Sequence, residues 1–373
     1  MTAGPLFIGS EIYRSSSYGG RHPLSIPRVS TVIDLCRCLG WLPEDAYLDS
    51  PVATTDQLAR FHDPAYVVAV QALERSQQAG PELQRRFNLG CNGNPVFPEV
   101  FRRPATACGG SLLAAEVIRE GGTVYNPAGG THHGRPDRAS GFCYFNDPVL
   151  ALLSLLDAGL ERVLYLDVDA HHADGVQDAV SGDGRVLVVS LHEAGRWPLR
   201  SGGDYGAVSD TGGGWARNLP LPPGVNDSEF AFLIGEAVLP LAQAYRPQAV
   251  VLQCGADALE DDPLSRLGLS NGALWQVVEA AMRLAPRLLV LGGGGYNPWS
   301  VARCWSGVWA RLSGQAVPER LPAAAEALLR ALTWRHSRAR GAPERWFTAL
   351  SDPPRPGPLR EEIRRLAAAL PGL

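Results

Sequence analysis

The chain reads as a single α/β domain: a doubly wound, mostly parallel sheet with helices on both faces. Three observations predict it. Four short, largely apolar runs, residues 163–168, 186–191, 249–253 and 288–291, have the near-continuous hydrophobicity of strands buried on both sides, which is the habit of parallel sheets. Stretches of helical periodicity fill the gaps, notably 229–245 and 273–284, so strand alternates with helix. Each run also ends in polar groups: Asp169 and His171 after the first, His192 after the second, Asp257 after the third and Tyr296 after the fourth. Doubly wound sheets bind their ligands beyond the carboxyl ends of the strands, where these residues should lie.

Composition narrows the class. The chain has 373 residues, 45% hydrophobic and 19% charged, enough for a substantial core in a globular enzyme. Net charge is −4 and all 34 basic residues are arginine, with no basic run to bind a phosphate backbone, so no nucleic-acid partner is expected. The seven cysteines are scattered without a C-x-x-C pair and read as reduced, buried thiols; Cys36 and Cys38 suit packing better than a metal. No run of 18 apolar residues is present, so no membrane partner is expected and a cytoplasmic location is the default.

In chain order, Pro23 and Pro27 break regularity before a helix over 29–39. His22, beside Pro23, is a candidate ligand or a loop residue. A helix over 56–61 turns at His62-Asp63 into a second through Val70, with Pro64 in its first turn. Residues 80–98 turn rich in Gly, Asn, Pro and Phe, a long surface loop; 105–118 is a small-residue helix. A short strand over 123–125 delivers N-P-A-G-G-T-H-H-G, where Gly129 and Gly130 permit close backbone approach before His132 and His133. Taken alone these histidines fit a solvated loop as well as a site. Asp147, with Pro148 behind it, caps a helix to Leu156. Beyond about Pro318 the composition shifts to Ala, Leu and Arg, with Arg335, Arg338, Arg340 and Arg345 on a solvated helical face. A Pro-rich spacer, 351–358, precedes a last amphipathic helix over 359–370. The expected organisation is a catalytic domain, 1–317, and a helical extension, 318–373.

The organising stretch is V-L-Y-L-D-V-D-A-H-H-A-D-G-V, residues 163–176. Asp167, Asp169, His171, His172 and Asp174 crowd titratable groups at a strand end, and carboxylates are rarely buried without a partner or a metal. Alternation puts Asp167, Asp169 and His171 on one face if the extended path continues. Salt bridges at a polar strand end are the plainer alternative. Two carboxylates and one imidazole cancel a divalent charge and leave a position open; oxygen and nitrogen donors suit zinc without excluding ferrous iron or manganese. His132 and His133 are then the proton-transfer candidates, with Asp167 and Asp174 each able to orient an imidazole. Tyr296, on its glycine turn, could donate to an oxyanion. The glycines 292–295 are not followed by G-K-S/T, which weakens a phosphate cradle.

Six ordered blocks, N-P-A-G-G-T-H-H-G, R-A-S-G-F-C-Y-F-N-D, Y-L-D-V-D-A-H-H-A-D-G-V, V-V-S-L-H-E, L-Q-C-G-A-D-A-L and L-G-G-G-G-Y-N-P-W-S-V-A-R-C-W, resemble those of the zinc-dependent histone deacetylase superfamily, and most of all its bacterial acetoin-utilisation branch. The resemblance runs from about Tyr13 to Leu312. It implies the arginase-like fold, zinc on Asp169, His171 and Asp257, His133 as general base and acid, His132 as its electrostatic partner, Asp167 paired with His132 and Asp174 with His133, and Tyr296 as oxyanion donor. It also implies potassium against Asp167, the backbone of Asp169 and His171, and Ser190 with Leu191. Gly141 and Phe142 match channel walls, Leu264 the rim, Gly294 the channel lining and Arg28 an internal channel beneath the site. Two positions depart from the pattern. Gly93 stands where relatives place a rim aspartate, and Trp197, in R-W-P-L-R-S-G-G-D, replaces a phenylalanine in a longer loop.

The implied activity is removal of an acetyl group from lysine side chains in proteins. An acetylpolyamine or other small acylated amine is the alternative, favoured by the missing rim acid. A manganese ureohydrolase would need further carboxylates where His172 and Ala173 stand, and a non-catalytic acyl-lysine reader would have no use for the histidine pair.

Overall fold

The structure is a computed structural model that describes residues 4–199 and 203–373. Arg200, Ser201 and Gly202 of the Trp197 loop lie outside the described residues. Eight strands form one sheet: β1 (Leu6–Gly9), β2 (Tyr47–Asp49), β3 (Gly122–Asn126), β4 (Val163–Asp167), β5 (Val186–Glu193), β6 (Ala216–Leu221), β7 (Ala249–Gln253) and β8 (Arg287–Leu291). Their order is β2-β1-β3-β8-β7-β4-β5-β6 and every pairing is parallel. Alternation along β4 separates two cores. Leu164 and Leu166 pack on one face, Val163 and Tyr165 on the other. The doubly wound, helix-covered sheet is the one expected.

Register decides where the chemistry can be. Asn126, Leu291, Gln253, Asp167 and Ser190 are successive partners across the neighbouring strands β3, β8, β7, β4 and β5. The next residues of β3, β8, β7 and β4 therefore emerge side by side, while β5 runs on to Glu193.

Several expectations need correction. The 80–98 stretch is not all loop, since Pro81–Phe87 is helical with Pro81 in its first turn. Asn146, not Asp147, caps the Asp147–Asp157 helix, by accepting from the Val149 N–H at 3.0 Å. The helix expected over 229–245 is interrupted: Asp227–Leu233 passes through a π turn, Ile234–Val238, into Leu239–Tyr245. Pro240 explains the widening, because it has no N–H for the carbonyl four residues back and its ring crowds that carbonyl. Strands β1, β2 and β6 and the Pro298–Ser313 helix carried no expectation at all. β1 and β2 are three or four residues long, and Arg217, Asn218 and Pro220 break the apolarity of β6, which an edge strand tolerates.

The region after Pro318 is not simply a solvated helical face. Leu321, Ala325, Leu329, Trp346, Leu350 and Ile363 are buried in the same core as β4 and β7. Past the Ala323–Arg330 helix, Arg345 pairs with Asp261 at 2.7 Å and Arg338 donates to the Asp262 carbonyl at 3.0 Å, so both clasp the turn after Asp257. All seven cysteines are free thiols, but only five are buried as expected: Cys38 is exposed and Cys91 half-buried. Among the described residues no helix is long and apolar enough to cross a membrane.

Candidate active site

Beyond β4 the chain does not stay extended. The Asp169 N–H turns back onto Asp167 Oδ1 and the His171 N–H onto Asp169 Oδ1, each at 2.9 Å, so successive carboxylates fold the strand end into a tight hook. The single face expected for Asp167, Asp169 and His171 is therefore split. Asp167 turns to His132; Asp169 and His171 turn to Asp257.

Asp257 leaves β7 one strand away, and its Oδ2 lies 2.9 Å from His171 Nδ1, which is 3.2 Å from Asp169 Oδ1. The three residues offer ligand atoms all within 4.8 Å of one another, and all three are buried. Among the described residues no arginine pairs with either carboxylate; their only ion-pair partners are histidines. Burial and the adjacent Asp169 charge push the Asp257 pKa up, whereas for Asp169 the penalty of burial is outweighed by His132 and His171. Two buried carboxylates without a fixed cation, joined by one imidazole, fit a divalent ion. The glycine turn after β8 makes the fit close. Gly294 donates its N–H to Asp169 Oδ2 at 2.6 Å, and a Cβ there would run into the Asp257 carboxylate. Gly294 thus serves the ligand carboxylates while lining the inner cavity with Gly141, Phe142 and Tyr296.

The turn after β3 carries the histidine pair. His132 Nδ1 lies 2.8 Å from Asp167 Oδ2, His133 Nδ1 lies 2.6 Å from Asp174 Oδ1, and the two Nε2 atoms sit 3.0 Å apart, that of His132 3.8 Å from Asp169 Oδ1. Burial pulls the His132 pKa down, but Asp167 and Asp169 outweigh it and hold it up at about 9. Burial and the His132 charge push His133 down to about 4. Asp174 sits at about 2, because His133 and Arg135 overcome the cost of its burial. The pair is pulled apart by its surroundings, as an acid and a base should be.

Tyr296 and Phe142 border the same cavity, their rings 6.1 Å apart. The Trp197 ring stands 4.7 Å from that of His133 and is 50% exposed, forming the opposite wall. Gly141 has φ +53°, and a Cβ there would meet the Trp197 ring and His133 Cδ2, so only glycine fits between them. Leu264 lines the mouth. Arg28 lies beneath, half-buried, donating to the Gly293 carbonyl at 2.7 Å with its guanidinium 5.1 Å from the Trp305 ring centroid. Of the potassium candidates, Asp167 and Ser190 are register partners and Leu191 follows, while Ser190 Oγ is 2.9 Å from His192 Nδ1. His22 is no ligand here: it stacks on Tyr18 and its Nε2 lies 3.0 Å from the Gly93 carbonyl.

Other supporting residues escaped the sequence reading. Tyr165 donates its hydroxyl to Asp167 Oδ2 at 2.8 Å, and alternation two residues upstream could have found it. Asp147 accepts from the Gly130 and Thr131 N–H groups and from Ser111 Oγ, fixing the histidine turn. Asp262 accepts from the Tyr296 N–H at 2.7 Å and the Leu264 N–H at 2.9 Å; burial and the Asp257 charge raise its pKa to about 8. In sequence it looks like one more acid in an E-D-D turn.

Residues 22–312 match the histone deacetylase domain. The chain belongs to the histone deacetylase family. Relatives of this family chain include histone deacetylase 3 of Oryza sativa subsp. japonica, 37% identical over 82% of this chain and 60% of its own length, and histone deacetylase 9 of Arabidopsis thaliana, 35% identical over 82% and 72%. The chain thus spans less than two thirds of the rice relative. Crystal structures of a histone deacetylase homologue from Aquifex aeolicus and of such a homologue complexed with SAHA each superpose with TM-score 0.93 at 34% identity, covering 99% of this chain and 100% of theirs. The structural likeness extends through the tail, where the sequence blocks had stopped at Leu312.

Proposed function

We propose that the chain is a metal-dependent deacetylase that removes an acetyl group from the side-chain amine of lysine in proteins. One observation carries this reading: Asp169, His171 and Asp257 meet in a buried cluster directly beside two His–Asp dyads, at the base of a channel walled by Phe142 and Trp197.

Zinc, or ferrous iron, would be held by those three residues and would supply Lewis acidity to the amide carbonyl and the attacking water. Asp174 fixes the His133 tautomer so that Nε2 faces the water and takes its proton. His132, backed by Asp167, keeps positive charge beside that proton transfer and favours return of the proton to the departing amine. The Tyr296 hydroxyl donates to the carbonyl oxygen as it gains negative charge, and Asp262 holds the tyrosine's backbone in place. Gly141, Phe142 and Trp197 give the acyl-lysine methylenes an apolar passage. Potassium against Asp167, Ser190, Leu191 and the backbone of Asp169 and His171 would stiffen the hook; the β4–β5 register that places Asp167 by Ser190 supports it. The test is a panel of acylated amines with zinc, iron and chelator: acetyl-lysine peptides should be turned over by metal-loaded protein and not after chelation. Two ions per chain would favour a ureohydrolase instead, and bound metal without turnover of any acylated amine a silent reader.

A further inference from the structure

Among the described residues, the opening of the channel is lined by Asn88, Asn92, Trp197, Leu264 and two arginines, Arg196 and Arg266, and by no aspartate or glutamate. Gly93, at the expected acid position, brings no charge. The carboxylate that holds both arginines is already spent. Glu193, at the end of β5, is fully buried and accepts from Arg196 Nε, from Arg266 Nε at 2.8 Å and from the Arg266 backbone N–H at 2.9 Å. Two cations share one anion, so the mouth holds surplus positive charge. Arg266 is the outward member: its side chain is 65% exposed and, among the described residues, its two Nη groups have no partner. A guanidinium anchored through Nε with a free Nη edge is preset to receive a carboxylate.

We propose that the channel mouth is a carboxylate-binding subsite in which Arg266 touches the substrate while Arg196 and Glu193 position it, so that acylated amines carrying an acid beside the scissile amide are preferred. The proposal rests on the deacetylase reading and names the substrate class within it. It reverses what Gly93 suggests alone. An acylated polyamine would bring ammonium groups to a rim that repels them and offers no free acid. The acid can belong to a residue flanking acetyl-lysine in a peptide or be the α-carboxylate of free Nε-acetyl-lysine.

The test compares kcat/KM of zinc-loaded protein on acetyl-lysine peptides flanked by Glu, Gln or Lys, on Nε-acetyl-lysine with free or amidated carboxyl, and on acetylputrescine. Glu-flanked peptide should exceed Lys-flanked by about three- to tenfold at low salt, with the ratio shrinking at high salt and collapsing toward one in Arg266→Gln. A Glu preference assigns the acid to a peptide, and a preference for free over amidated acetyl-lysine assigns it to a small substrate. Equal rates across the charge series, or preference for the Lys-flanked peptide or acetylputrescine, would overturn the subsite. Calorimetric affinities of the same compounds for Tyr296→Phe should follow the same order, a readout that survives if Arg266→Gln fails to fold. Absence of turnover throughout, with metal bound, sinks the deacetylase reading, and the calorimetric order still decides the mouth.

Discussion

The floor and the mouth of the channel are built on opposite plans. At the floor the carboxylates are buried and paired with imidazoles: Asp167 with His132, Asp174 with His133 and Arg135, and Asp169 and Asp257 with His171. At the mouth Trp197 is half exposed and Arg266 keeps its Nη edge free. Buried, fully partnered groups hold geometry to a fraction of an ångström, which bond-making needs; exposed groups with spare donors select a partner at little cost to the fold. Changes at the floor should abolish the reaction, and changes at the mouth should redirect it.

The largest effect is expected at Asp257. Asp257→Ala should strip the metal, read by elemental analysis, and lower turnover on the order of 10⁴-fold or more. His133→Ala should keep the metal and lose roughly 10²- to 10⁴-fold in kcat. If either variant retained full turnover, floor and mouth would not differ in kind. Tyr296→Phe should cost about 10²- to 10³-fold, mainly in kcat, since its hydrogen bond matters most as charge develops. At the mouth, Trp197→Ala should raise KM with little change in kcat, by roughly three- to tenfold on acetyl-lysine peptides. A kcat effect as large as that of Tyr296→Phe would place Trp197 in the floor.

The smallest effect on rate, and a clear one on stability, concerns His62. Its Nε2 accepts from the Asn146 N–H at 3.0 Å and its Nδ1 lies 2.9 Å from the Arg135 carbonyl, so it braces the segment behind the histidine turn. Burial lowers its pKa to about 4. The unfolded chain binds the proton more readily, so this contribution is full above about pH 6.5 and is lost as pH falls toward 4, about 3 kcal/mol at most. His62→Gln should flatten the fall in Tm over that window while leaving the pH dependence of kcat unchanged.

What could be read in the sequence follows the same division. The central strands were legible because burial on both faces makes them uniformly apolar, and the metal ligands because carboxylates beside imidazoles at a strand end have few other uses. Strands β1, β2 and β6 were not, since β1 and β2 are only three or four residues long and polar residues and a proline break the pattern of β6 at the sheet edge. Asp147 was misread because an acid before a helix is usually a cap; its true partners, Gly130, Thr131 and Ser111, are remote or unremarkable in the chain. Glu193 and Arg266 lie 73 residues apart, and nothing local announces that they share the rim.

The bonds of Asp147 bear on how the protein tolerates change. This carboxylate ties the histidine turn to the Arg102–Val117 helix through Ser111 and to its own helix through the backbone, so the imidazoles take their position from how those two helices nest. A methyl group added in the apolar cluster those helices share, at Ala114 or Ala115, changes no catalytic side chain. It would nonetheless arrive at the chemistry as a displacement of the proton acceptor, and an activity defect with a normal metal content would be its signature.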